Sequence, residues 1–465
     1  MIGAHLLTQT LLKKTLCRTA LCLAFLGLAS QVDVRAEDGA AVVQSQVALV
    51  ATGGPDPDHG MPIEGWTFFP IFFAGGVFND NIYNTASNRK SAFGLRLLPS
   101  FEASNDNGIY QTTLYGTLDA QIYPGAVESS SSFASSPPTT SANNIQGRAG
   151  FSHIYKPMED LTFGVIFDYS RQIGLFGSGF GAGGPPIFVP NAIVPTGVPQ
   201  YSNQLTGLVS VEKKITDRSF VELMGGVQGV SYQNPPNSPI NFALPGAGAP
   251  MSAQQNEVVY TVSVRAGYWV VPAFYMFVEP GWAIHNYQIF RSDTAGYSIV
   301  SGIGSDQIGL WRGEIYSGYQ RQSSVYGLFE AVSSPDFGAR LYYYPTPYLT
   351  ITAAADETLG SATPSVLPFP SVGSGTRTFQ AELQGSYGFS PYWTASLQGG
   401  YGETNYAGLS RIDTAWTAGM GVSYTFWRNI ALTFDYQFMR TDTNAGNGLG
   451  RYTQNLVTAG ITYRY

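Results

Sequence analysis

Histidine is the side chain most often used for proton transfer in enzymes, and this sequence has few of them. Beyond the first 36 residues there are three, His59, His153 and His285. His59 lies in a turn-rich stretch, and His153 falls on the predicted outward phase of a strand. A Ser/His/acid site would therefore have to use His285, with Asp293 as its candidate acid. A lone inward histidine is more often a polar wall residue, so the sequence predicts no enzyme.

Residues that bind metals or phosphates are equally sparse. The only cysteines are Cys17 and Cys22, and no His/Cys cluster has the spacing of a metal site. The segment 446–450 is rich in glycine, but it does not follow the strand–helix pattern of a phosphate-binding loop. We therefore expect neither a metal nor a cofactor.

The first 36 residues have the regions of a secretory signal peptide. Basic residues within 13–18 precede the apolar run 19–29, and small-residue cleavage sites follow at 34–36 and, as a second candidate, at 27–29. The apolar run is too short to span a bilayer. Cleavage after residue 36 would remove both cysteines and leave 20 basic and 30 acidic residues. That negative balance argues against nucleic acid as a partner.

The composition indicates that much of the protein surface does not meet water. Charged residues make up 12% of the chain, and Tyr (29) and Phe (28) each outnumber Lys plus Arg (24). A soluble domain usually has about 25% charged residues. The longest apolar segment, 268–278, contains Pro272 and is too short for a transmembrane helix. Strands that span lipid must close into a barrel, because unpaired backbone groups are too costly there.

Side chains alternate with a period of two after residues 37–65, which are predicted to be a flexible periplasmic lead-in. Within 430–438, for example, the even positions are apolar, whereas Thr433, Asp435 and Gln437 are polar. Such alternation is typical of half-buried strands. In a membrane barrel the apolar face contacts lipid and the polar face lines the lumen.

The connections between the predicted strands alternate in length. Short turns are predicted at Asn105–Gly108, Lys156–Asp160, Thr216–Ser219, Pro272, Ser305–Gln307, Pro345–Pro347, Ser390–Tyr392 and Trp427–Asn429. Longer connections lie between them, including 124–142, 174–202, 234–255, 322–334, 361–375 and 442–451. Aromatic residues such as Tyr155, Trp269, Phe389 and Trp427 flank the short turns. Short periplasmic turns, longer extracellular loops and an aromatic girdle are typical of outer-membrane barrels.

We therefore predict one all-β domain, a closed transmembrane antiparallel β-barrel over residues 66–465. We count about 18 strands, with about 16 as the alternative, because bacterial single-chain barrels have an even number. Both ends of the mature chain would then lie in the periplasm.

Two segments resemble a known family. Gly76–Tyr83 (GVFNDNIY) looks like the opening strand of the putative β-barrel porin 2 family, and Tyr342–Thr350 (YYYPTPYLT) looks like its internal hairpin. The resemblance covers about residues 66–465. It implies an outer-membrane channel of a Gram-negative bacterium, and several members accompany exopolysaccharide systems. It implies no catalytic residues.

Charged residues on the polar phases of the strands are predicted to line the pore. They are Arg96, Glu102, Asp119, Arg148, Asp168, Glu212, Glu222, Arg265, Glu279, Arg312, Glu314, Arg340, Asp356, Glu382, Asp413 and Asp435. With Arg464 added, the set has 11 acids and six bases. A lipid-facing Arg or Lys at the bilayer midplane would cost about 2–4 kcal/mol, which favours inward placement. The same residues could instead pair across strands and hold the wall, and the two roles are compatible.

The chain ends in alternating residues that suit a closing strand. Val457, Ala459, Ile461, Tyr463 and Tyr465 share one phase. Tyr463 and Tyr465 are predicted to form the signal that the barrel assembly machinery recognises, with a further girdle ring as the alternative role for Tyr465. The last strand must pair with the first, or two strand edges would face lipid unpaired.

Two functions follow from these features. The first is a porin-like channel for passive passage of small hydrophilic solutes, with saccharides among the candidates. The alternative is a barrel partner of an exopolysaccharide export or assembly system. Long loops folded into the lumen would favour the second function, and an open lumen the first. The oligomeric state is left open.

Overall fold

The computed structural model describes residues 60–82, 86–87, 89–125, 127–129, 139–141, 143–174, 200–233, 256–288, 293–327, 330–360, 375–407, 411–444 and 451–465. The predicted signal peptide and nearly all of the predicted lead-in lie outside these residues. Within the described ranges, no helix is long and apolar enough to cross a membrane.

The described chain folds into 21 strands. They are β1 (Met61–Ile63), β2 (Trp66–Asn79), β3 (Ala92–Asp106), β4 (Tyr110–Ile122), β5 (Val127–Ser129), β6 (Thr139–Ser141), β7 (Asn144–Met158), β8 (Leu161–Gly174), β9 (Gln200–Thr216), β10 (Ser219–Gln233) and β11 (Glu257–Val271). The second half has β12 (Phe274–Tyr287), β13 (Thr294–Ile308), β14 (Trp311–Ser324), β15 (Val332–Thr346), β16 (Leu349–Gly360), β17 (Gly375–Gly388), β18 (Trp393–Ala407), β19 (Arg411–Trp427), β20 (Ile430–Thr443) and β21 (Tyr452–Arg464).

Eighteen of these strands form one closed antiparallel barrel, which confirms the predicted fold class and strand count. The barrel consists of β2, β3, β4 and β7 to β21, each paired with its neighbour along the chain. Strand β21 returns to β2, and their ladder runs from Ile71 opposite Arg464 to Asn79 opposite Leu456. Closure leaves no open edge, which is the condition for strands in lipid. Strands β5 and β6 form a separate two-stranded hairpin.

Strand β1 lies at the end of the predicted lead-in and covers the edge of β2 where β21 stops. Tyr465 donates its backbone N–H to Pro70, and β1 then pairs with Trp66–Phe68. The connection is the dipeptide Glu64–Gly65, with φ values of 46° and 87°. Positive φ at both central residues is the geometry of a tight hairpin turn that matches strand twist. The part of the β2 edge that β21 does not reach is therefore paired with β1.

One predicted turn is wrong. The segment Ser305–Gln307 belongs to β13, which continues to Ile308, and Ile308 pairs with Trp311 of β14. The chain reverses at Gly309–Leu310, where Gly309 has φ of 62°. Glycine adopts this left-handed conformation without the steric cost that a Cβ brings. The polar Ser-Asp-Gln run was therefore a weaker turn signal than the glycine after it.

Most aromatic residues that flank the short turns are exposed on the outside of the barrel, but Trp269 is not. Tyr348, Phe389 and Trp427 are examples of the exposed rings. Trp269 packs inside, with its ring centroid 4.8 Å from that of Tyr275 and 6.1 Å from that of Phe220. Its assignment to the girdle is therefore wrong, because it lies on the inner phase of β11.

Candidate functional site: the inner face of the barrel

Each barrel strand has two distinct faces. One face carries exposed apolar side chains such as Leu118, Val209, Met276 and Leu383, and we call it the outer face. The opposite face, called the inner face, carries buried polar residues such as Ser263, Thr378 and Thr433. The inner face also carries aromatic clusters, chiefly Phe220, Tyr275 and Phe277.

The charged residues predicted to line the pore all lie on the inner face by strand register. They are Arg96, Glu102, Asp119, Arg148, Asp168, Glu212, Glu222, Arg265, Glu279, Arg312, Glu314, Arg340, Asp356, Glu382, Asp413 and Asp435. That this face borders a water-filled passage stays a prediction.

Arg96 and Asp119 form a two-point ion pair on adjacent strands. Arg96 donates Nε to Oδ1 of Asp119 at 2.9 Å and Nη2 to Oδ2 at 2.8 Å. Gln121 donates to the same carboxylate at 3.3 Å, and Tyr123 donates to Gln121 at 3.1 Å. The guanidinium and carboxylate match in this two-point geometry, so the pair is both strong and directional. It joins β3 to β4 through side chains as well as backbone.

A second cluster joins β4, β7 and β8. Arg148 donates to Asp168 at 2.6 Å, and the Tyr115 hydroxyl donates to the same oxygen at 2.6 Å. The Arg148 guanidinium also lies 5.6 Å from the centroid of the Tyr115 ring, within the range of a cation–π contact. One acid, one base and one phenol therefore neutralise each other on the inner wall.

The largest cluster is centred on Arg265 of β11. Its guanidinium binds Glu279 at 2.7 Å and Glu314 at 3.2 Å, and it lies 4.3 Å from the centroid of the Phe277 ring. Tyr275 donates its hydroxyl to Glu314 at 2.9 Å. Two carboxylates thus share one strongly buried arginine. The cluster links strands β11, β12 and β14 through their side chains.

Residues next to this cluster extend the charged surface. Arg340 lies directly opposite Glu314, and Arg312 lies two positions before Glu314 on β14. Glu222 lies between Arg265 on one side and Glu212 on the other. Farther round the barrel, Asp413 accepts hydrogen bonds from Tyr406 at 3.0 Å and from Thr443 at 2.6 Å. Acids and arginines are therefore interspersed on the inner wall from β10 to β15, whereas the acids Glu212 and Glu222 lie directly opposite each other.

Several inner-face acids form no ion pair within the described part of the chain. They are Glu102, Asp336, Asp356, Glu382 and Asp435. Sequence analysis did not single out Asp336, which follows Pro335 near the start of β15. The alternation of Ser334, Asp336, Gly338 and Arg340 was the signal that could have found it. Three of these five acids, Asp336, Asp356 and Glu382, therefore lie on the neighbouring strands β15 to β17.

His285 does not contact the acid proposed for it. Its Nδ1 lies 3.4 Å from Oε2 of Glu257 on β11, whereas Asp293 accepts a hydrogen bond from the backbone N–H of Tyr287. The candidate pairing of His285 with Asp293 is therefore not formed, because the ladder between β11 and β12 brings Glu257 to this histidine. No group of three or more possible metal ligands occurs in the described ranges.

Side chains bridge an opening in the wall between β15 and β16. Among the described residues their ladder ends at Gly338 and Asp356, although both strands continue. Pro335 has no N–H with which to extend it. Gln320 of β14 donates to the carbonyl oxygens of Pro335 at 3.1 Å and Glu357 at 3.2 Å, and it accepts from the Leu359 N–H at 3.3 Å. One amide side chain thus takes the place of a peptide group in the wall.

Glu357 closes the same opening with its carboxylate. It is 1% exposed and accepts two hydrogen bonds from Arg377, each of 2.7 Å, and a third from Ser334. Sequence analysis did not single out Glu357 or Arg377, because their positions are on the outer phase, where no charge was expected. The ion pair satisfies an acid that would otherwise face lipid at high cost.

Comparison with known proteins identifies related sequences and folds. The family model described as "Putative beta-barrel porin 2" matches residues 189–465, more than half of the chain. That range includes the segment Tyr342–Thr350 and leaves Gly76–Tyr83 outside. No curated protein matches the chain.

Two solved structures illustrate the structural matches. The FrpB iron transporter from Neisseria meningitidis (F5-1 variant, apoprotein form) is 8% identical, with 91% of this chain and 83% of that chain covered and a TM-score of 0.42. The outer membrane channel DcaP of Acinetobacter baumannii is 13% identical, with 88% and 100% covered and a TM-score of 0.40. Since both TM-scores lie below 0.5, no residue takes its role from these proteins.

Proposed function

Because the chain belongs to the putative beta-barrel porin 2 family, we propose that it is a passive channel for small hydrophilic solutes, with a preference for cations and neutral saccharides over anions. The observation that carries the proposal is a closed 18-stranded wall whose inner face carries all the charged residues predicted to line the pore. A barrel of this strand number is too wide for side chains alone to fill.

The charge balance of the inner face supports the preference for cations. Asp119 and Asp168 each pair with one arginine, whereas Glu279 and Glu314 share Arg265. Within the described residues, Asp336 and Glu382 form no ion pair with arginine, and Asp356 interacts with Arg340 only at longer range. A passage with low-dielectric walls focuses the field of such charges and raises the local concentration of counter-ions. Salt weakens the effect, because the Debye length is about 10 Å at 0.1 M.

The uncharged polar residues of the inner face suit the passage of neutral saccharides. Half-buried hydroxyl and amide side chains, such as Ser210, Gln384 and Gln437, lie on the inner face together with the charged residues. Hydroxyl groups of a sugar can exchange hydrogen bonds with water for hydrogen bonds with such groups at little net cost. Passage therefore requires no tight binding site.

The test is conductance of the purified full chain in planar bilayers under a KCl gradient. We expect water-filled channels whose reversal potential shows weak cation preference, reduced in Asp356→Asn/Glu382→Gln. Glu403→Gln is the matched control, because Glu403 lies on the outer face, and it should leave the potential unchanged. Swelling of proteoliposomes in neutral mono- and disaccharides tests solute passage.

Clear anion preference would contradict the charge argument, and absence of conductance would contradict the channel. The alternative role in exopolysaccharide export is distinguished in vivo. Loss of surface polysaccharide on deletion of the gene, together with a non-conducting purified barrel, would favour that role instead.

A further inference from the structure

The outer face changes from apolar to charged at those ends of β19, β20 and β21 that carry the longer connections. Leu432, Phe434 and Ile461 are exposed apolar residues nearer the other ends of these strands, beside the short turn between β19 and β20. Farther along β20, Arg440 lies directly opposite Trp416, which is 53% exposed. Exposed Trp rings occur at the depth of lipid headgroups in membrane proteins. Arg440 therefore lies where the apolar band gives way to the headgroup region.

Arg440 is one of two arginines that converge on a single carboxylate. Arg440 Nε donates to Oδ2 of Asp442 at 2.6 Å, and Arg451 Nε lies 3.1 Å from Oδ1 of the same residue. The Arg440 and Arg451 side chains are 56% and 61% exposed, compared with 28% for Asp442. Each carboxylate oxygen is taken by one guanidinium, so the trio has a net charge of +1.

The two guanidinium groups keep donors free for a further anion. Among the described residues, Arg440 uses only Nε, and Arg451 places Nη2 3.4 Å from the carbonyl oxygen of Thr443. Guanidinium groups bind phosphate oxygens through paired N–H donors and suit this anion better than a point charge would. Because both guanidinium groups bind the same carboxylate, their remaining N–H groups lie near each other.

We propose that Arg440, Arg451 and Asp442 form a binding site for the phosphate of a phosphorylated lipid in the outer leaflet. The phosphate contacts the two guanidinium groups, and the acyl chain runs from there along the outer face of β20, past Phe438 towards Phe434. A free phosphate ion would use the charge alone, whereas a lipid also uses the adjacent apolar surface and Trp416. The site lies on the outside of the wall, so it does not depend on the lumen conducting.

The probe is dioleoyl phosphatidate, added in detergent to the purified full-length barrel and counted by native mass spectrometry. We expect one phosphatidate retained per barrel and binding weaker by roughly tenfold or more in Arg440→Gln/Arg451→Gln, since this variant removes the charge-assisted hydrogen bonds to the phosphate. The single variant Arg451→Gln should show an intermediate loss. Heat-modifiable migration on gels verifies that each variant is folded.

Matched probes and a control variant define the outcomes. Dioleoylglycerol, which lacks the phosphate, should not be retained. Arg321→Gln removes an exposed arginine from the outer face of β14 and should bind phosphatidate like the unaltered chain. Equal loss in Arg321→Gln would overturn the site in favour of general attraction to positive charge. Displacement of the lipid by an equal concentration of inorganic phosphate would overturn the role of the acyl chain.

Discussion

The aromatic ring of Phe220 lies against the backbone of Gly267, the residue directly opposite it on the neighbouring strand. A Cβ on Gly267 would lie less than 3.0 Å from three atoms of that ring. The same relationship recurs on the inner face in the pairs Tyr115–Gly150, Tyr275–Gly304, Phe277–Gly302 and Tyr316–Gly338. Each ring covers a stretch of strand where no side chain stands. These pairs therefore fix strand register as well as burying aromatic surface.

Filling one of these glycine positions should destabilise the barrel. Gly267→Ala forces the Phe220 ring to move, and overpacking of this kind costs about 1–3 kcal/mol. Urea unfolding in detergent, followed by heat-modifiable migration, measures the change. Gly229→Ala on the outer face is the matched control, because a Cβ there meets nothing within 4 Å. Equal midpoints for the two variants would contradict the packing argument.

Removal of Arg265 should make the proposed channel more cation-selective. Arg265→Gln leaves Glu279 and Glu314 without their shared counter-charge, so the inner wall gains one net negative charge. The reversal potential in a KCl gradient should shift further towards that of potassium. In Arg265→Gln/Glu279→Gln the net charge returns to its original value and the shift should disappear. An unchanged potential in the single variant would place this cluster outside the conducting path.

The orientation of the barrel can be read by labelling single cysteines. Val325 lies in a connection between β14 and β15, at the end of the barrel opposite the turn that contains Asn107. A membrane-impermeant maleimide added to intact cells should label Val325→Cys and leave Asn107→Cys unlabelled until the cells are broken. The native chain contributes no background if the signal peptide with Cys17 and Cys22 is removed. The reverse pattern of labelling would invert the predicted topology. Ser178 and Ser365, in the longer connections, are further predicted outside positions and lie beyond the described residues.

Strand number and side-chain phase were predictable from sequence because both depend on local alternation. A period of two assigns Arg265 and Glu314 to the inner phase without knowledge of the fold. Their contact was not predictable, since Glu314 lies three strands away from Arg265 and the reach depends on glycines between them, such as Gly302 and Gly304. Cross-strand register and the curvature of the closed sheet decide which charges meet.

Sequence reasoning missed the residues at which the alternation of inner and outer side chains breaks down. Glu357 occupies an outer phase, yet it is buried because the ladder opens beside Pro335. A prediction from alternating residues assumes a regular ladder of hydrogen bonds. It cannot show that an outer-phase side chain is buried where the ladder is interrupted. The proline was visible in the sequence, but its effect on the neighbouring strand depends on the partner opposite it. Gln320, which repairs the opening, lies on a third strand.

Gln320→Ala should weaken the wall at that opening. The change leaves the Glu357 carbonyl and the Leu359 N–H without their partner, and a buried unsatisfied group costs about 1–3 kcal/mol. The urea midpoint should fall accordingly. Gln380→Ala, which removes an inner-face glutamine of β17 with no hydrogen bond among the described residues, should change it little. If both variants unfold alike, the amide of Gln320 has no special role in the wall.

The last residues of the printed sequence complete the ladder that closes the barrel. Tyr463 lies opposite Phe72 of β2 and Ile430 of β20, and Tyr465 donates its backbone N–H to Pro70. Both tyrosine rings are exposed on the outside of the barrel, where the assembly machinery could bind them. Deletion of 463–465 removes these bonds and uncovers the edge of β2 in lipid, at a cost of several kcal/mol per unpaired group.

We expect the deletion to lower the amount of folded protein in the outer membrane sharply and to leave unfolded chain for periplasmic proteases. Tyr465→Phe keeps the ring and the backbone donor, so it should assemble normally. Tyr465→Asp keeps the backbone donor but replaces the ring with a charge at the membrane interface, so it should fail. Heat-modifiable protein in outer-membrane fractions measures all three. Failure of Tyr465→Asp with success of Tyr465→Phe assigns the effect to the ring, whereas normal assembly of the deletion would refute both the signal and the closing role.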